Sequence, residues 1–202
     1  MLAQTITTLY AEATPNPETM KFVANRLIMK PNVMLEYQSF EETNGAPLAQ
    51  LLFSTGKVKS LFFNNNFVTV TKSPEHNWSS LASELRELIK GFLNTSGDAI
   101  IDYPAEKNSE MDQKSEAVSS IPANDQEAVA AIKQILDEYI RPAVEQDGGA
   151  ITFKNYQDGV VSVILQGSCS GCPSSTVTLK SGIENLLKRM VPGVKEVVAE
   201  NQ

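Results

Sequence analysis

Between Asp102 and Asn124 the chain reads DYPAEKNSEMDQKSEAVSSIPAN, a stretch from which no packed core can be built. Ser, Glu, Lys, Asn and Pro dominate it, and its few apolar residues follow no regular period. Such a segment buries too little surface to offset the entropy of ordering it. It therefore predicts a flexible, acidic linker over 102–123, with separate domains at 1–101 and 124–202. Each half has fewer than about 100 residues, a size at which a single core is thin but workable. No repeat relates the two.

In the first half, Thr5–Ala13 (TITTLYAEA) and Met20–Met29 (MKFVANRLIM) read as extended segments parted by the turn signal Thr14-Pro15-Asn16-Pro17. Pro47–Phe53 (PLAQLLF) predicts a short helix with Pro in its first turn. Val58–Phe63 and Phe67–Lys72 form a hairpin around Asn64-Asn65-Asn66. Trp78–Leu93 places Leu81, Leu85, Leu88, Ile89 and Phe92 on one helical face. The order is strand, strand, helix, strand, strand, helix. Phe62, Phe63, Phe67 and Trp78 are assigned to the core, although strand alternation turns at least one of Leu61-Phe62-Phe63 outward, toward a partner.

The second half opens with a helix over Asp125–Ile140, its stripe formed by Val129, Ile132, Ile135, Leu136, Tyr139 and Ile140. Arg141-Pro142 interrupts it and Asp147-Gly148-Gly149 ends it. Ile151–Asn155 and Val160–Leu165 are strands around an Asp158-Gly159 turn. A helix over about Pro173–Met190 and a strand over Val194–Ala199 close the chain, with Val177, Leu179, Ile183, Leu186, Leu187 and Met190 on the helix's apolar side. The fold class is α+β: two small α/β sandwich domains on either side of the linker.

Charge and cysteine content exclude several functions. A net charge of -7 argues against nucleic acid as a partner, because phosphate binding needs clustered Lys and Arg. No apolar run approaches the ~20 residues of a membrane span. The segment MLAQTITTLYAEATPNPETM lacks a signal-peptide core and an Arg-rich transit bias, so a cytoplasmic protein is expected. Two cysteines in one CxxC do not make a secreted disulfide scaffold.

Those cysteines lie in GSCSGCPSS, residues 167–175, between a strand end and a helix start. Pro173 suits the first helical position, which puts Cys172 near the N-cap and Cys169 in the loop before it. Unpaired backbone N–H groups and the positive end of the helix dipole favour thiolate there. Gly167 and Gly171 leave room for something bulky near the sulfurs. Spacing alone leaves three readings open: a thioredoxin-like redox pair, half a metal site, or two inert thiols. A redox pair is disfavoured because a thioredoxin-type CxxC follows a strand inside a βαβ unit, whereas a tight Asp-Gly hairpin precedes this one. Zinc and the common iron–sulfur clusters take four protein ligands. His76, the only histidine, belongs to the other half and reads as a surface residue. A complete site therefore needs ligands from elsewhere, and the simplest source is a second copy of the chain. Asp147 is read as part of a glycine turn, not as an acid or base. Lys180, Lys188 and Arg189 are read as a solvated helix face.

At these residues the sequence resembles a known family. Asp147-Gly148-Gly149, the strand end VSVILQG, SCSGCPSSTVTLKSGIENLL and the closing VPGVKEV look like the C-terminal domain of NifU-like (Nfu) proteins. ATPNPETMKF, VKSLFFNNNFVTVTK and the Trp78 helix resemble the N-terminal domain of Nfu scaffold proteins. The resemblance implies an iron–sulfur cluster scaffold or carrier, not an enzyme. Cys169 and Cys172 would ligate a [4Fe–4S] cluster bridging a homodimer. The cluster would be accepted from an upstream scaffold and passed to apo-proteins. Unlike nitrogen-fixation NifU, the chain has neither a cysteine-bearing N-terminal scaffold domain nor a central ferredoxin-like site, so general iron–sulfur maturation is the expected role. Its cysteine-free N-terminal domain is expected to recognise targets or donors.

Overall fold

In the computed structural model, which describes residues 6–103, 123–170 and 173–201, the Thr14–Pro17 turn folds Leu9–Ala13 (β1) back on Thr19–Ala24 (β2). The turn is held by its own side chains: Thr14 Oγ1 donates to the Asn16 carbonyl at 2.9 Å, and Asn16 Oδ1 accepts from the Glu18 N–H at 3.0 Å. The second strand stops at Ala24, short of the expected Met29. Asn25 Oδ1 accepts from the Thr8 N–H at 3.0 Å. Arg26 reaches the carbonyls of Leu93 (3.0 Å) and Gly97 (2.8 Å). These side chains divert the chain from the ladder, and Ile28 and Met29 enter the core beyond the strand.

Met34–Tyr37 (β3) is a four-residue edge strand, too short and too mixed in polarity to show a period. Pro47–Phe53 (α1) follows, with Pro in its first turn. Val58–Asn64 (β4) and Phe67–Lys72 (β5) form the expected hairpin, turned at Asn65 with φ 45°. Trp78–Thr95 (α2) is capped by Asn77, whose side chain accepts from the Ser79 N–H at 3.0 Å. The antiparallel sheet runs β1-β2-β5-β4-β3. Phe22, Leu61, Phe63, Val68 and Val70 pack against Leu48 and Leu52 of α1 and Leu81, Leu85 and Ile89 of α2. Phe62 and Phe67 lie on the opposite sheet face, ring centroids 6.2 Å apart, and both are buried. Alternation does send Phe62 away from the helices, but not into solvent. Trp78 is half-buried on Phe22 and donates to the Pro17 carbonyl at 3.1 Å. The packing extends to Asp102, whose N–H reaches the Gly45 carbonyl, and to Tyr103, whose hydroxyl accepts from the Lys30 N–H at 2.7 Å.

The chain separates into two compact units, Met1–Ser109 and Glu110–Gln202. Most of the expected linker lies outside the described residues. The second unit begins with Ala123–Ile135 (α3), a π-helical turn at Leu136–Ile140, and Arg141–Gln146 (α4). Pro142 explains the wide turn: proline donates no N–H and its ring crowds the carbonyl four residues back. The extra residue rotates the helical stripe, so Ile132, Ile135 and Leu136 are buried while Tyr139 is exposed. Gly148, at φ 80°, then turns the chain into Gly149–Gln157 (β6). Asp158 (φ 54°) and Gly159 (φ 87°) reverse it into Val160–Gly167 (β7), the positive pair of a type I′ turn. Pro173–Met190 (α5) crosses over to Glu196–Asn201 (β8), which pairs parallel with β7, giving the sheet order β6-β7-β8. Ile151, Val161, Val163 and Leu165 pack against Ile132, Val144, Ile183 and Leu187. Both units are therefore sheets packed on helices, and the α+β expectation holds. Val177 and Met190, expected on the apolar side of α5, are exposed. Among the described residues no helix is long and apolar enough to cross a membrane.

The Tyr37 hydroxyl is buried with no hydrogen-bond partner among the described residues, and burial, with Tyr103 adding to it, pushes its pKa up to about 12. Tyr37→Phe keeps the ring against Phe63 and removes an unsatisfied polar atom, so a gain of about 1 kcal/mol in chemical denaturation is expected. The folded pKa lies above the unfolded one. Stability from this group is complete below pH 10 and falls toward pH 12, and that alkaline loss should shrink in the variant.

Candidate metal centre

At the top of the β6–β7 hairpin two glycines face each other: Gly149 opens β6 and pairs with Gly167, which closes β7. Gly167 takes φ 67°, which bends the chain out of the ladder into Ser168-Cys169-Ser170. That loop is stitched to the preceding α4–β6 turn. Ser168 donates through Oγ to the Asp147 carbonyl at 2.5 Å and through its N–H to the Gly148 carbonyl at 3.3 Å. Ser170 folds back on Gly167, its N–H at 3.1 Å and its Oγ at 2.8 Å from that carbonyl. Asp147 thus serves through its backbone as part of a turn, as the glycine pattern predicts.

Cys169 is only 6% exposed, within the core formed by Ile151, Leu165 and Ile183. At Cys169 the expectation of open space is corrected, while Gly171 and Cys172, on which the rest of it falls, lie outside the described residues. A Cβ built on Gly149 would stand 2.7 Å from Cys169 Sγ and 2.7 Å from the Gln166 carbonyl. The space that Gly149 leaves is filled by the thiol itself, and Ser168 Oγ lies 3.8 Å from the same sulfur. Gly149 lets β6 approach the cysteine loop closely, and Ser168 is itself buried there. Cys172, and with it the expected N-cap arrangement, lies outside the described residues.

The argument from topology against a redox pair is also corrected. β7, α5 and β8 form a parallel crossover, so the cysteine loop does follow a strand within a βαβ unit. The tight hairpin precedes it as expected, but the two features coexist. Among the described residues no three His, Cys, Asp or Glu side chains gather into a metal-holding group. His76 sits half-buried in the β5–α2 turn of the first unit. Lys180 pairs with Glu196 at 3.7 Å and Lys188 with Glu184 at 2.5 Å, while Arg189 is exposed, in keeping with a solvated face.

A profile of the NifU-like domain matches residues 132–198, and one described as scaffold protein Nfu/NifU N terminal matches residues 9–96. The chain belongs to the NifU-like (Nfu) scaffold family. Among its Nfu relatives are proteins named NFU1 iron-sulfur cluster scaffold homolog, mitochondrial, from Drosophila willistoni and Drosophila ananassae, 37% and 36% identical over 189 residues. The alignments cover 94% of this chain but 62% and 63% of those proteins, so it spans a little under two thirds of their length. The solution structure of a NifU-like protein from Saccharomyces cerevisiae is 24% identical, with a TM-score of 0.42 over 50% of this chain and 89% of that one.

Helix α5, which leads away from the cysteines, is fixed to β8 by Glu184, whose carboxylate accepts from Lys188 Nζ and from the Val197 N–H at 3.1 Å. The Lys188 bond first, and then the Val197 N–H, hold its pKa below the ordinary 4.5. A depressed folded pKa contributes stability above the unfolded value that is lost as pH falls below 4.5 through the folded one. Urea midpoints measured from neutral to acidic pH should fall more steeply for the natural chain than for Glu184→Gln.

Proposed function

We propose that this Nfu protein is a carrier that accepts a [4Fe–4S] cluster from an upstream scaffold on Cys169 and Cys172 of two chains and delivers it to apo-proteins. One observation carries the reading: the chain has two cysteines, half of the four ligands such a cluster takes, in a domain of a scaffold family. The missing half is supplied by symmetry, in a homodimer closed through the C-terminal domains. The cluster is cargo, held near solvent at a subunit boundary. Client thiolates replace Cys169 and Cys172 one at a time, and the dimer loosens as its shared ligand leaves. No substrate bond is broken catalytically, so the protein is not an enzyme.

The cysteine-free N-terminal domain (1–101) recognises donors or clients, and the linker (102–123) lets the cluster domain (124–202) reach them. Thiolate ligation needs a compartment that keeps thiols reduced. The cytoplasm meets that condition, and the relatives above carry the word mitochondrial in their names.

The second reading is a dithiol–disulfide oxidoreductase using the same cysteines, favoured by the βαβ setting of the loop. Anaerobic reconstitution with iron and sulfide separates the two. The carrier should take up about four irons per two chains and transfer them to an apo-protein. Cys169→Ser and Cys172→Ser should each abolish retention. Unchanged iron uptake in either variant, or insulin reduction without bound iron, contradicts the carrier reading.

A further inference from the structure

Two segments of the first unit, 26–30 and 96–103, lie side by side beyond the end of α2 and leave a cleft of about 480 Å³ between them. That is within the ~300–1,000 Å³ of ordinary ligand clefts. Its walls are fixed by hydrogen bonds. Ala99 donates its N–H to the Ile28 carbonyl at 2.9 Å, and the Tyr103 hydroxyl accepts from the Lys30 N–H at 2.7 Å. The N–H groups of Ile101 and Asp102 converge on the Gly45 carbonyl at 2.9 and 3.0 Å. A cleft held in this way is formed before anything enters it, so little ordering entropy is lost on binding.

The lining is apolar with one free cation at its rim. Met29 and Ile100 make a buried floor, while Leu27 and Ile101, 50% and 75% exposed, stand beside it in water. Bulky apolar side chains held out beside a preformed apolar floor suit a docking surface, not a core. Asp98 is paired with Arg26 at 3.7 Å. Asp102 lies against Gly45 and does not line the cleft. Lys30 is exposed, its Nζ 4.4 Å from the Tyr103 ring centroid, and it makes no ion pair among the described residues. The cleft thus carries one unneutralised positive charge on a chain of net charge -7.

We propose that this cleft binds a short segment of a partner protein in which a bulky apolar residue stands beside a carboxylate. The apolar side chain enters between Leu27 and Ile101, and the carboxylate meets Lys30 at the rim. The apolar contact supplies most of the affinity, because an exposed ion pair adds only a few-fold. The charge selects among apolar segments. This gives the recognition role of the N-terminal domain a place and a chemistry, and it rests on that reading; the binding itself needs neither cysteine nor cluster.

The test selects random heptapeptides, displayed on phage, against the immobilised full-length chain at low salt. Sequences that set Leu, Ile, Met or Phe beside Glu or Asp should be enriched. Synthetic peptides of those sequences should bind Ile101→Ser and Leu27→Ser roughly tenfold more weakly, the weight of one buried aliphatic contact. Lys30→Glu should weaken them several-fold, and selection on that variant should turn from acidic to basic residues. All three side chains are exposed, and thermal unfolding checks that each variant folds. No enrichment, peptides that bind both serine variants as tightly as the natural chain, or an acidic preference unchanged in Lys30→Glu overturns the proposal. So does a metal-free dimer that dissociates in Ile101→Ser, which makes a second copy the occupant. Iron uptake and transfer by the natural chain separate this idea from the carrier reading. Peptides bound at the cleft without any iron uptake uphold the cleft and defeat the carrier; uptake and transfer with no peptide selected do the reverse.

Discussion

The closure of Gly149 against Gly167 and Cys169 is the contact on which the second unit depends. The cysteine loop can lie this close to the start of β6 only because Gly149 brings no side chain to the junction, and the sulfur takes the space so freed. One contact therefore joins the end of the sheet to the core and sets the position of the Cys169 sulfur. The Asp147–Gly149 turn and the cysteine loop, twenty residues apart in sequence, become a single object through Ser168.

The first unit solves a different problem. Its five-stranded sheet and two helices hold no cysteine, and its stability comes from an aromatic and aliphatic core that Arg26 braces at the end of α2. Placing a guanidinium on helix-terminal carbonyls satisfies acceptors that otherwise lack partners and suits the negative end of the helix dipole. Both cysteines of the chain lie in the second unit.

Local signals carried most of this architecture. Asn65 and Asp158-Gly159 required positive φ, and both hairpins formed where those residues stand. Pro47 and Pro173 marked two helix starts correctly. What escaped was set by tertiary context. The edge strand Met34–Tyr37 is too short to show a period, and the reach of Arg26 across more than sixty-five residues leaves no local trace. Tyr139 was misplaced because Pro142 widens the helix by one residue, a shift that a strict 3.6 period does not anticipate. The geometry at Cys169 was not legible: Gly167 suggested open space at the sulfur, whereas Cys169 is buried against Gly149, a residue distant in sequence. Parallel pairing of β7 with β8 was likewise invisible, because strand direction is decided by packing.

The central claim is one of stoichiometry, and native mass spectrometry of the anaerobically reconstituted protein reads it directly. The account predicts a species with the mass of two chains plus one four-iron, four-sulfide cluster, which returns to single chains when the cluster is removed. A cluster carried by one chain alone, or a dimer whose mass contains no iron and persists unchanged, would contradict it.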